Sequence, residues 1–163
     1  IVTISREESL KQSERIQFEN DNIIGTISLK GASIDDLTFK NYKLNLDNEE
    51  KVTLLNPRNI NQGYLIESGF VTSNKNIDVP NSETVWSVEG NNKLTNNSPI
   101  KLLWTNKQGL KFEKKISLDN RYLFSIKQKV VNNTKLFKSG SIATRKLLSN
   151  LFNKSHYLIN SED

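Results

Sequence analysis

Between Ile100 and Val130 apolar and polar residues alternate with a period of two, and this pattern narrows the fold more than any other feature. Ile100, Leu102 and Trp104 alternate along the first segment. Leu110, Phe112, Ile116 and Leu118 then share one parity, opposed by Lys111, Glu113, Lys115 and Ser117. Tyr122, Phe124, Ile126 and Val130 follow, interleaved with Ser125, Lys127 and Lys129. Side chains on a strand point to opposite faces in turn, so each segment has one apolar and one wetted face. Asn106 to Gly109 turns the chain, and Asp119-Asn120 suits a two-residue hairpin turn because both residues tolerate a positive φ. Three consecutive antiparallel strands of this kind form a meander, and short strands at this spacing indicate a sandwich.

The rest of the chain also reads as strands. Ile23, Ile27 and Leu29 lie on one face, with Thr26, Ser28 and Lys30 on the other, and Gly31-Ala32 reverses the chain. From Ser33 to Lys40, Ile34 falls on one parity and Leu37 and Phe39 on the other. One extra residue at Asp35-Asp36 would re-aim the side chains after it, so the flip predicts a β-bulge. Lys51 to Leu55, Tyr64 to Phe70 and Thr84 to Val88 are further strands, with Asn56-Pro57 and Pro80 as breakers. Ser5 to Asn22 is polar with little periodicity and reads as a linker joining the first strand near Ile16. Near the end, Leu147, Leu148, Leu151 and Phe152 recur at helical spacing, which predicts a short helix over Thr144 to Lys154.

Composition limits the chemistry. Among 163 residues there is no Cys, which excludes disulfides, thiolate metal sites and Cys nucleophiles. The single His, His156, excludes a site that needs two imidazoles, and near a chain end it reads as a surface residue. With no Met, the sequence is expected to be a piece of a longer protein. Lys and Arg outnumber Asp and Glu by 23 to 18, a formal net charge of +5. The Lys residues are scattered and accompanied by abundant Asn and Ile, so they read as a solvated surface and not as a nucleic-acid stripe. No run of apolar residues is long enough to span a membrane.

Candidate sites are sparse. No glycine-rich loop opens a helix, and the carboxylates show no Ca²⁺-loop spacing, so no cofactor, metal or catalytic residue is expected. Adjacent carboxylates on a strand face opposite ways, so Asp35 and Asp36 are not expected to share a site, and the bulge accounts for them. Trp86 and Trp104 sit in apolar strand patterns, as core residues do. In the alternative reading they and Tyr64 are stacking platforms of a carbohydrate- or ligand-binding module.

Longer stretches resemble a family. Gly25 to Leu37 followed by Lys40-Asn41-Tyr42, then Val52 to Pro57, Gly69-Phe70-Val71 and Thr84 to Gly90 are similar to successive strands of the periplasmic domain of the YidC family of bacterial membrane protein insertases. Leu94-Thr95, Ser98-Pro99, Leu102-Leu103-Trp104, Gly109 to Phe112, Asp119 to Phe124 and Val130 to Asn133 keep the same order. The similarity runs from about Ile16 to Leu136 and fades from Lys138 onward. The motif positions it marks, mainly structural, are Gly31, Asp35, Asp36, Leu37, Tyr42, Trp86, Gly109, Phe112 and Tyr122.

The resemblance implies an all-β, antiparallel β-supersandwich of the galactose-mutarotase-like class. It implies residues 1–15 as a linker after an upstream membrane helix, and residues 16–163 as a periplasmic domain. The family's domain is longer, so the sandwich is expected to be incomplete, with an exposed edge strand. The implied role is noncatalytic: docking Sec translocon subunits or nascent inner-membrane proteins, with membrane contact through helices outside this sequence and no nucleic acid. A shared fold brings no sugar-enzyme activity with it.

Overall fold

The computed structural model describes residues 4–132, 142–149 and 156–158. In chain order the elements are a short helix, α1 (Arg6–Leu10), and strands β1 (Arg15–Glu19), β2 (Ile23–Ser28), β3 (Ser33–Lys43), β4 (Lys51–Leu55), β5 (Leu65–Thr72), β6 (Ser87–Glu89), β7 (Lys93–Leu94), β8 (Ile100–Thr105), β9 (Leu110–Leu118), β10 (Phe124–Asn132), β11 (Ile142–Ser149) and β12 (His156–Leu158). They form two sheets. The larger has the order β12-β11-β5-β3-β2-β1-β7, with β4 also on β3, and the smaller has the order β10-β9-β8-β6. Pairing is antiparallel throughout both sheets except between β1 and β7, which run parallel.

The predicted meander is β8-β9-β10. Along β9 the residues from Leu110 to Leu118 alternate between buried and more exposed positions. Its inward face meets that of the larger sheet in one core, where Ile16, Phe18, Ile23, Ile27 and Ile34 pack with Ile100, Leu102, Leu110, Phe112 and Ile116. Each such side chain, fully removed from water, contributes about 1.5–3 kcal/mol. Aromatic rings bridge the sheets edge to face: Phe18 against Phe124 at 5.1 Å, and Phe70 against Phe112 at 5.0 Å. The chain is therefore an all-β sandwich.

Two polar clasps hold the layers in register. Asn20, at the β1–β2 turn, donates from its amide to the carbonyls of Asp119 and Arg121 beyond β9, both at 2.9 Å. Its own oxygen accepts from the backbone of Asn22 and Ile23, so this buried amide is fully used. Asn106 likewise donates to Asp78 O and accepts from the Gln108 and Leu110 amides across the turn at Gly109. Gly109 has φ +84°, a left-handed conformation that favours glycine.

The secondary-structure elements differ from the sequence expectations at four points. The first strand expected near Ile16 is β1, but the stretch before it, read as a linker, holds α1. Ser5 caps α1 and Glu8 returns the bond, donor for donor, in a capping box. The predicted helix over Thr144 to Lys154 is replaced, as far as Ser149, by β11, which pairs with β5 along its whole length. Residues 150–154 of that expectation lie outside the described residues. The Asp119-Asn120 hairpin has a longer loop than two residues, because Leu118 pairs with Phe124. The Asp119 carboxylate accepts from the Arg121 and Leu123 amides and shapes this loop, and neither Asp119 nor Asn120 has a positive φ. The strand expected over Thr84 to Val88 is shorter: Val85 makes an isolated bridge to Lys30, and β6 begins at Ser87.

Candidate functional site

The bulge on β3 forms the first polar cluster. Thr26 pairs with Asp36 and Ile27 with Ile34, which leaves Asp35 as the extra residue. A bulge cancels the alternation of faces, so the two carboxylates do meet one network, contrary to the opposite-face expectation. Arg15 pairs with Asp35 and also donates to Thr26 Oγ1 at 2.7 Å. That hydroxyl in turn donates to Asp36 Oδ2 at 2.7 Å, and Arg6 of α1 closes the chain by pairing with Asp36 and bonding Asn56. Burial raises the Asp35 carboxyl above its ordinary pKa, Arg15 opposes that, and the neighbouring Asp36 adds to it. Both carboxylates are engaged by guanidinium groups, and the cluster ties α1 to the larger sheet.

The aromatic candidates do not converge on one face. Trp86 is buried, stacked on Phe70 with centroids 6.5 Å apart. Trp104 is half-buried and tilted against Phe112 at 5.4 Å. Tyr64 packs at the margin of the core, and its backbone bonds Asn56. Of the three, Trp86 alone lines the inter-sheet cavity described below.

The remaining motif positions are spread through the fold. Gly31 turns the chain with φ +73°, and a Cβ there would lie 2.8 Å from the Ser82 carbonyl oxygen. Leu37 and Phe112 are core residues. Tyr42 and Tyr122 are exposed, both edge to face with Phe39, and the hydrogen bond that the Tyr122 hydroxyl donates to Tyr42 raises the Tyr122 pKa above its ordinary value. His156 falls in β12, and its side chain lies outside the described residues. Among the described residues no group of three or more His, Cys, Asp or Glu is placed to hold a metal ion. No described helix is long and apolar enough to cross a membrane.

The group that sequence reasoning missed is Lys114. It occupies the inward parity of β9 between Phe112 and Ile116, and it is 1% exposed. Lys114 and Lys115 are adjacent, so on a strand one of them must point inward, which is the signal that was available. The ammonium of Lys114 donates to the Ser68 carbonyl on β5 and sits 5.0 Å over the Trp86 ring. Burial pushes its pKa down to about 8, and Glu67 partly opposes the shift. It lines a cavity of about 270 Å³ between the sheets, together with Ser68, Gly69, Phe70, Pro80 and Trp86. Beside it, β5 pairs with β3 only at Ile34 and Ile66, and β4 pairs with the later part of β3.

Fold and sites together define an antiparallel β-sandwich module whose charged network braces its own strands. The sequence model of the YidC periplasmic domain matches residues 15–146, and the chain belongs to that family. It is similar to the membrane protein insertase YidC of Pelagibacter ubique, 61% identical over 131 residues, which is 80% of this chain and 24% of that protein. The YidC insertases of Brucella suis and Rickettsia akari are 39% and 40% identical, covering 80% of this chain and 22% and 23% of their own lengths. The chain thus spans about a quarter of the curated relatives it matches.

Proposed function

We propose that this chain is the noncatalytic periplasmic domain of a YidC-like inner-membrane protein insertase. In this reading it assists insertion by docking translocon subunits or nascent membrane proteins, and the bilayer is reached through helices outside this sequence. The family match over residues 15–146 carries the reading. The surface supports it as well. On β10 the inward residues Phe124, Ile126 and Val130 are only half-buried, and this strand is the outer member of its sheet among the described residues. A strand at the outer position of its sheet, with partly exposed apolar side chains, is suited to accept an extended segment of another chain.

The test is photo-crosslinking in the full-length protein, with the probe placed at Ser125, Lys127 or Lys129 on the exposed face of β10. Adducts with translocon subunits or with nascent inner-membrane proteins are the expected outcome. Adducts with neither, under conditions where insertion proceeds, would overturn the docking role.

A further inference from the structure

Lysines scattered along the sequence are gathered by the register of the smaller sheet. Lys101 on β8 pairs with Lys115 on β9, and Lys115 pairs with Lys127 on β10. Directly paired residues share a face, so three lysines stand in one row across three strands. The adjoining rows set Glu113 opposite Lys129 and Lys111 opposite Val131. The other face of these strands carries Ile100, Leu102, Phe112 and Ile116 into the core, so all five lysines point away from it.

Like charges directly opposite one another destabilise a sheet, and here they are only partly offset. Two carboxylates share the face. Glu89 pairs with Lys101 at 2.6 Å. Glu113 faces Lys129 across the strands but turns to the other side, 3.9 Å from Lys101 and 3.6 Å from Lys111. Among the described residues no carboxylate lies within ion-pair distance of Lys115, Lys127 or Lys129, and all three side chains are exposed.

The shape of the patch narrows what it can meet. Strands lie about 4.8 Å apart and alternate residues along a strand about 6.8 Å apart, so the ammonium groups cover an area and do not line a groove. No arginine occurs in β6, β8, β9 or β10. Recognition of a single carboxylate or phosphate in fixed geometry favours the arginine fork, whereas lysine is a mobile point charge on a long stem. Charge spread over a flat face without such forks suits an extended anionic surface better than one acidic segment.

We propose that the outward face of the β8-β9-β10 meander lies against anionic phospholipid headgroups. The inference rests on the reading of a domain held beside the inner membrane and adds which side it turns to the bilayer. In this arrangement β10 meets lipid through its face and another chain through its edge.

The experiment is flotation of the 163-residue chain with vesicles at pH 7 and low salt. One set of vesicles is phosphatidylcholine alone, and the other is an equal mixture with phosphatidylglycerol. Binding to the mixed vesicles is expected, with loss at about 1 M salt, where screening acts within about 3 Å. The triple variant Lys115→Gln, Lys127→Gln, Lys129→Gln is expected to bind at least tenfold more weakly. Lys11→Gln, Lys43→Gln, Lys75→Gln removes the same charge away from the smaller sheet and is expected to weaken binding less than threefold. All six lysines are exposed, so both variants are expected to keep the fold. Poly-glutamate, as a second probe, is expected to bind more weakly than the mixed vesicles. No binding to the mixed vesicles, equal binding to phosphatidylcholine alone, or equal weakening in the two variants would overturn the proposal. Tighter binding of poly-glutamate would overturn it in favour of an acidic protein partner. No translocon subunit is present, so failure here leaves the docking role standing, and failure of the crosslinking leaves lipid binding measurable.

Discussion

Among the described residues the molecule buries charge in two places and treats it differently. At the β3 bulge, Arg15 and Arg6 face Asp35 and Asp36, Thr26 links the two pairs, and the polar groups bond one another. At the cavity, Lys114 has a carbonyl and an indole face but, among the described residues, no carboxylate partner. A charge removed from water needs an opposite charge or a full set of hydrogen bonds. The first site meets that demand and acts as a brace. The second meets it only in part, and its lowered pKa is the record of the shortfall. The difference separates a cluster that holds the fold together from a single charge set beside a cavity between the sheets.

Substitutions can break or sharpen this contrast. The largest effect is expected from Arg15→Met, which leaves Asp35 buried and uncompensated. Urea unfolding at pH 7 should show a loss of about 3–5 kcal/mol. The Asp35 pKa is already raised, so the folded chain takes up this proton before the unfolded one as pH falls towards 3.8. That uptake stabilises the folded form, and acidification should recover part of the Arg15→Met loss. No recovery would mean that Arg15 acts through packing and not through charge.

Lys114→Met should move the other way, stabilising the chain by about 1–3 kcal/mol at pH 7, since a buried ion is exchanged for an apolar group of similar length. The gain should shrink with rising pH. Between about 8 and 10.5 the unfolded chain keeps a proton on Lys114 that the folded chain has released, so wild-type stability from this group rises through that window. Parallel denaturation series at pH 7 and pH 10 would measure the closing gap. A destabilised Lys114→Met at both pH values would make the ammonium a brace like Arg15 and erase the contrast.

Smaller effects test the edges of the two regions. Ser5→Ala removes the cap of α1, the helix that carries Arg6 to Asp36, and should cost about 1 kcal/mol in thermal unfolding. Gly69→Ala puts a methyl group into empty space at an ordinary backbone angle, and its melting temperature should barely change, within about 0.5 kcal/mol. A large loss at Gly69 would show that this face of β5 is covered in solution.

The contrast also explains what could be read from sequence. The meander from Ile100 onward and the bulge at Asp35-Asp36 were legible, because two-residue periodicity and a parity flip follow directly from strand geometry. The Ser5-to-Glu8 capping box was equally present in the residues, but it was masked by the polar stretch around it. The Thr144 helix failed for a tertiary reason. Leu147 and Leu148 fit a helical stripe, yet β5 offers an eight-residue edge, and pairing with it outweighs local preference. Lys114 was hidden because a lysine among apolar residues reads as surface, and only the facing carbonyl and indole of Ser68 and Trp86 make its inward position tolerable. Asn20 and Asn106 were lost in an Asn-rich background, although each clasps segments far apart in the chain.

The Asn20 clasp also bears on how the chain folds. Its two bonds join residues 99 and 101 positions apart, so the β1–β2 turn cannot be fastened until the β9–β10 loop has been made. Contacts of such long sequence separation slow folding, because the intervening chain must be ordered before they form. A chain emerging N-terminus first would carry this hairpin unfastened until about a hundred further residues had followed it. Closure of the sandwich is then a late event, timed by the arrival of the third quarter of the sequence.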